Sequence, residues 1–218
     1  FNMILVTGAS RGLGKYLFQK LKRNYNIHGT TRNKSKFFFK NNIYNNFDLN
    51  DDSKLELLEK RLSKYDCIIN NIGIAYDGLL ATQGVTSIKN VINTNLTQNI
   101  ILTKMYVRAR LQKNKGGNII NISSICSVKA FKGLVTYGAS KAGLIQMTKY
   151  FSVNAIADGA NVRVNCIAPG GILNEENPQG KDFQKLYAER CPMKRMANVQ
   201  EMVGPILFLL SPDSSYIN

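Results

Sequence analysis

In the segment TYGASKAGL, Tyr137 and Lys141 stand four residues apart. In a helix that spacing puts both on one face, one turn apart, so an ammonium reaches a phenol without long-range folding to join them. The pair combines an acid with a charge of the right sign to tune it. A free phenol titrates near 10, and bringing it to neutrality takes about three units, roughly 4 kcal/mol of preferential phenolate stabilisation. The single histidine, His28, lies in a strand-like stretch near the start of the chain, which makes imidazole a poor candidate for the proton chemistry.

A second group could bind phosphate. In TGASRGLG, Gly8, Gly12 and Gly14 follow an apolar run and open a helical pattern. Glycines there let the backbone approach a pyrophosphate, and a helix N-terminus offers it unpaired N–H groups. The spacing differs from GxGxxG, and a tight turn is the ordinary alternative. At the end of the next strand, HGTTRNK offers Thr30, Thr31 and Arg32 but no carboxylate to accept from a ribose 2'-hydroxyl. Arg32, with Arg11 of the glycine loop, suits a 2'-phosphate, so NADP(H) is expected over NAD(H).

These groups need a scaffold that brings them to one edge. Short β-branched runs alternate with helical patterns: MILVTG before Leu13–Lys22, NIHGTT before a polar loop, and IYNNFDL before Lys54–Leu62. CIINNIG, NIINISS, a helix from about Tyr137 to Ala157, and VRVNCIAPG follow. Continuous apolar runs suit a parallel sheet covered on both faces. The pattern predicts a doubly wound α/β Rossmann fold, three layers in a single domain over residues 1–218. TGASRGLG and APGG fall at its carboxyl edge, where ligands bind. Asn33–Asn42 is expected as a surface loop whose three phenylalanines pack on something.

In order along the chain come TGASRGLG, FDLND at Asp48, NNIG at Asn70–Gly73, NTNL at Asn95, NISS at Ser124, YGASK, and NCIAPGG at Pro169–Gly171. Together they resemble the short-chain dehydrogenases/reductases over nearly the whole chain, and NISS and YGASKAGL are similar to 3-oxoacyl-[acyl-carrier-protein] reductases. The resemblance implies an oxidoreductase that moves a hydride between a nicotinamide and a ketone or alcohol. Ser124 would orient the carbonyl and Tyr137 would exchange the proton. Lys141 would bind the nicotinamide ribose and lower the tyrosine pKa, and Asn95 would hold a relay water. The implied cofactor residues are Gly8, Ser10, Arg11, Gly12, Leu13, Gly14, Thr31, Arg32, Asp48, Leu49, Asn71, Gly73, Tyr137, Lys141, Pro169, Gly170 and Ile172. Asp48 would meet the adenine amine, and Asn71 and Gly73 the ribose. Ile172–Met196, with helical DFQKLYAERC, would be a lid over the substrate. A carrier-bound acyl thioester and a sugar-derived ketone of surface-polysaccharide or flagellin-sugar metabolism are the two substrate classes. A homotetramer or homodimer would form through the helices that follow Asn95 and contain Tyr137. Taken singly, each catalytic residue has an ordinary structural role. A non-catalytic NADP-binding sensor or structural homologue is the alternative, against which the intact set of four speaks.

The sequence departs from that family in three places. Ile72 stands where alanine is usual, PGGILNE lacks a threonine often found after the proline-glycine pair, and SSYIN ends where a further strand usually follows. At 218 residues and 44% hydrophobic content, one sizeable core is expected. The net charge of +15, from 29 Lys and Arg against 14 Asp and Glu, is spread along the chain, so no nucleic-acid partner is expected. Cys67, Cys126, Cys166 and Cys191 lie far apart, which indicates neither a metal site nor a disulfide framework. Cys67 and Cys166 read as core thiols. An apolar run at the very start leaves no room for a leader, and no run is long enough to span a bilayer, so a cytoplasmic protein is expected.

Overall fold

The computed structural model describes residues 3–32, 42–44, 47–76, 78, 80–174, 176 and 178–218. Its elements are β1 (Met3–Val6), α1 (Gly12–Leu21), β2 (Asn26–Thr30), β3 (Ile43–Tyr44), α2 (Asp52–Leu62), β4 (Cys67–Asn70) and α3 (Val85–Ile92). One turn of π-helix, Asn93–Thr97, leads into α4 (Gln98–Gln112). Then come β5 (Gly117–Ile122), α5 (Val135–Ala157), β6 (Val162–Ile167), α6 (Lys181–Arg190) and α7 (Val203–Leu210). The strands form one parallel sheet in the order β3-β2-β1-β4-β5-β6. That order reverses direction between β1 and β4, which opens a crevice at the carboxyl ends of those two strands.

Alternation along the strands divides the core into two layers. Leu5, Ile68, Ile119 and Val164 face Leu55, Leu58 and Leu62 of α2, Leu102 and Tyr106 of α4, and Ala155 of α5. Ile4, Val6, Cys67, Ile69 and Ile120 face Leu17, Phe18 and Leu21 of α1 and Ile206, Leu209 and Leu210 of α7. Each such fully buried aliphatic side chain contributes about 1.5–3 kcal/mol relative to exposure.

Polar groups fix the layers in register. Asn70 and Asn121 are paired across β4 and β5. Asn70 Nδ2 donates to Asn121 Oδ1 at 2.8 Å, and Asn121 Nδ2 donates to Thr148 Oγ1 of α5 at 2.8 Å. Arg110, 5% exposed, clasps the far end of the sheet by donating to the carbonyls of Ser63, Tyr65 and Gly116. On the edge strand β6, Val164 N–H donates to Asn218 Oδ1 at 2.7 Å and Arg163 to Ile217 O at 2.8 Å, so the last described residues lie along that edge.

Three expectations need adjustment. Among the described residues the third strand is Ile43–Tyr44, and Phe47 is buried in the core. Cys166 is half-buried, because β6 has a neighbour on one side only, whereas Cys67 is fully buried in a central strand. The surface loop expected at Asn33–Asn42 lies outside the described residues except for Asn42.

Candidate active site

The turn after β1 is shaped for an approaching anion. Gly8 and Gly12 have φ of +67° and +52°, and a Cβ on Gly14 would stand 2.2 Å from Gly8 O. Only glycine satisfies the close approach at Gly14. α1 starts at Gly12 with Arg11 as N-cap residue and no side-chain cap, so its first amides remain available at the crevice. Thr30 steadies the turn, accepting from Gly8 N–H through Oγ1 at 3.2 Å and from Ala9 N–H through its carbonyl at 2.9 Å. Asn71 steadies the other side, donating through Nδ2 to Thr7 O at 3.0 Å and Gly8 O at 3.2 Å. The Asn71 amide, expected at the ribose, is therefore engaged with the glycine loop.

A cavity of about 390 Å³ runs along this turn, lined by Gly8, Ser10, Arg11, Gly12, Leu13, Gly14, Thr30, Thr31, Arg32, Phe47, Asn71, Ile72, Gly73, Ile74 and Asn174. A second, of about 320 Å³, shares Leu13, Asn71, Gly73 and Ile74 with it and continues past Ser124, Tyr137, Lys141, Pro169, Gly170 and Ile172. Of the expected cofactor residues, Asp48 and Leu49 line neither. Asp48 Oδ1 accepts from the backbone N–H and side-chain amide of Asn50, both at 3.0 Å, and Leu49 is buried in the core. Asp51 caps α2, its side chain accepting from Ser53 N–H. Phe47, Ile74 and Asn174 line the crevice without having been singled out in the sequence; Phe47 opens the FDLND motif and Ile74 sits one residue beyond NNIG.

At the second cavity, Lys141 is 3% exposed and donates through Nζ to Ile122 O at 2.7 Å. Its Nζ lies 5.7 Å from the Tyr137 ring centroid. Burial pushes the Lys141 ammonium down to about 8. Burial also holds the Tyr137 phenol above its ordinary value, and a hydrogen bond with Ser124 pulls it partly back. The cation alone thus does not bring the phenol to neutrality in the free protein. Tyr137 stays protonated there, the state a proton donor requires.

Asn95 sits in the π-turn and is fully buried. Its Oδ1 accepts from Ile74 N–H at 2.8 Å, and its Nδ2 donates to Ile74 O at 2.8 Å and to Ser140 Oγ at 3.0 Å. Ser140 Oγ in turn donates to Tyr137 O at 2.7 Å. Asn95 lines neither cavity; its side chain joins the Gly73–Ile74 wall to the helix that carries Tyr137 and Lys141. His28 lies elsewhere, with Nδ1 2.8 Å from Tyr65 Oη and its ring against Tyr44 and Tyr65. Burial first, and then the Arg61 charge, lower its pKa.

The sheet order and the gathering of Ser124, Tyr137 and Lys141 beside a glycine-loop crevice define a Rossmann-type oxidoreductase site. The family profile described as Enoyl-(Acyl carrier protein) reductase matches residues 42–218. The 3-oxoacyl-[acyl-carrier-protein] reductase FabG of Buchnera aphidicola subsp. Schizaphis graminum is 33% identical over 98% of this chain and 91% of its own length. A short chain dehydrogenase from Leptospira borgpetersenii with bound NAD+ superposes with a TM-score of 0.90 at 27% identity, over 100% of this chain and 88% of that one. ElxO with NADP bound gives 0.85 at 27% identity, over 100% and 94%. The chain belongs to the short-chain dehydrogenase/reductase family of oxidoreductases.

Proposed function

We propose that this chain is an NADP(H)-dependent reductase whose substrate is a 3-oxoacyl group carried as a thioester on an acidic carrier protein. The observation that carries the reaction class is the convergence of Ser124, Tyr137 and Lys141 on a cavity continuous with the glycine-loop crevice. A dinucleotide would be held by the Gly8–Gly14 turn, Thr31, Gly73, Pro169, Gly170 and Ile172, and would supply the hydride. Ser124 orients the carbonyl, Tyr137 gives it a proton, and Lys141 keeps positive charge beside the ribose and the phenol. Asn95, whose side-chain amide is taken up by Ile74 and Ser140, serves by holding the Ile74 wall against the helix that carries Tyr137 and Lys141.

Arg11 and Arg32 both line the crevice and are exposed, and no Asp or Glu is among its described lining residues. That composition favours a 2'-phosphate over a 2'-hydroxyl. NADPH should bind at least about tenfold tighter than NADH, about 1.4 kcal/mol, and Arg32→Asp should invert the preference. Fluorescence titration measures both, and equal affinities in the wild type refute the assignment.

The carrier-bound substrate is supported by two surfaces. α6 exposes Phe183 and Leu186 among charges of both signs, Lys181, Asp182, Lys185 and Glu189, and the segment after Ser124 exposes Val128 and Phe131 among the cations Lys129 and Lys132. Apolar groups set among cations suit an acyl chain delivered by an acidic protein better than they suit a polar keto sugar. An NADPH-oxidation screen with carrier thioesters, keto sugars and simple ketones tests this. Turnover of the thioester is expected, and NADPH binding without turnover of any carbonyl would favour the sensor reading.

Ile100 of α4 and Tyr150, Val153 and Ile156 of α5 are exposed apolar groups that support a homotetramer built through those helices. Light scattering at micromolar concentration should give four times the protomer mass, and a monomer would refute it. Among the described residues no helix is long and apolar enough to cross a membrane.

A further inference from the structure

Helix α6 has no buried residue, yet one of its side chains closes on the wall of the catalytic cavity. Gly171 N–H donates to Tyr187 Oη at 2.6 Å. A Cβ on Gly170 would stand 2.7 Å from Tyr187 Oη, and one on Gly171 would stand 2.8 Å from the Tyr187 ring. Neither glycine has a positive φ, so backbone conformation does not call for them. With Tyr187 seated as it is, neither has room for a Cβ unless that side chain moves.

Gly171 is held from its other side as well, its carbonyl accepting from Ala197 N–H at 2.8 Å. Both backbone groups of Gly171 are thus satisfied by α6 and the segment after it. One residue back, Gly170 lines the catalytic cavity with Pro169. Pro169 O accepts from Ile125 N–H at 2.8 Å, beside Ser124. A continuous backbone path therefore runs from Tyr187 through Gly171 and Pro169 to the residue next to Ser124.

We infer that Tyr187 is a positioning residue whose hydroxyl latches α6 to Gly171, so that the seating of α6 and the shape of the cavity wall change together. α6 has few other anchors: Phe183 and Leu186 are 53% and 48% exposed. One hydrogen bond is accordingly a large share of what holds the helix down. The latch stands on the contacts alone, whereas its coupling to an occupied crevice rests on the dinucleotide reading above.

Tyr187→Phe keeps the ring over Gly170 and Gly171 and removes only Oη. Trypsin can cut α6 at Lys181 and Lys185, which are exposed. In the absence of nucleotide, cleavage within α6 should be about twofold to tenfold faster in Tyr187→Phe, the size of one net hydrogen bond. Saturating NADPH should slow cleavage in the wild type and slow it less in the variant, and NADPH dissociation followed by fluorescence should be faster in the variant by a similar factor. Equal cleavage of the two free proteins overturns the latch. Equal protection by NADPH overturns the coupling. If NADPH protects neither protein, the dinucleotide reading fails and the coupling with it, and the free-protein comparison still decides the latch.

Discussion

Tyr137→Phe should lower turnover by about 10²–10⁴-fold, the range for a positioned acid, while leaving the fold and NADPH affinity in place. Burial holds the phenol's pKa up, which keeps it in the protonated form an acid needs. Its neighbours are poor substitutes. The Lys141 ammonium donates to Ile122 O, Ser124 Oγ accepts from Cys126 N–H at 3.2 Å, and His28 is on the α2 side of the sheet against Tyr65. Phenylalanine keeps the ring, so the wall between α5 and the turn after β5 keeps its shape. Single-turnover NADPH oxidation reads the chemical step, and fluorescence titration reads binding. Near-wild-type turnover would mean that Tyr137 packs the helix and the proton comes from another group.

The fold was legible because its signal is local. Runs such as MILV and CIIN are apolar at nearly every position, which only strands covered on both faces require, and here they are β1 and β4 at the centre of the sheet. The spacing of Tyr137 and Lys141 is likewise a property of one helix. The glycines of TGASRGLG announced a turn, and the φ values of Gly8 and Gly12 are those such a turn needs.

What the sequence hid depends on partners far along the chain. The family resemblance implies Asn71 at a ribose, and nothing local shows that its amide also reaches 63 residues back to Gly8 O. Leu49 belongs to the same FDLND motif as Asp48 and still faces the core from the turn before α2, since a motif has no inside or outside of its own. The π-turn around Asn95 left no mark in a helical period, and it is the pairing of Asn95 with Ile74 that shows it matters. Tyr187 had no signal of its own; Gly170 and Gly171 were visible, but not the side chain that packs against them. Lys141 was expected to govern the Tyr137 pKa, and burial of both groups turns out to be the larger effect on each.

That burial gives the second large expectation: Lys141→Met should cost turnover about a hundredfold or more and yet make the protein more stable at neutral pH. Lys141 is pushed from an ordinary 10.5 down to about 8 by loss of water. At roughly 1.4 kcal/mol per unit, keeping the charge buried costs about 3 kcal/mol at pH 7. Methionine removes that cost but leaves Ile122 O without its donor, which returns about 1 kcal/mol or more. The net gain is about 1–2 kcal/mol, a rise of roughly 2–8 °C in melting temperature for a chain of this size. The sign with pH follows from linkage. Below about 8 the lysine is protonated whether folded or not, and the full cost applies. Between about 8 and 10.5 the unfolded chain holds the proton and the folded one releases it, so wild-type stability rises with pH relative to the variant. Urea unfolding of both proteins from about pH 7 to pH 10 should show the gap narrow and then close. A variant that is less stable than wild type at pH 7, or a gap that does not change with pH, would show that the ammonium is well accommodated by the fold. A shrinking gap would instead show that the fold carries a cation it would be more stable without, placed beside Tyr137 at the end of the crevice, as a charge kept for function would be.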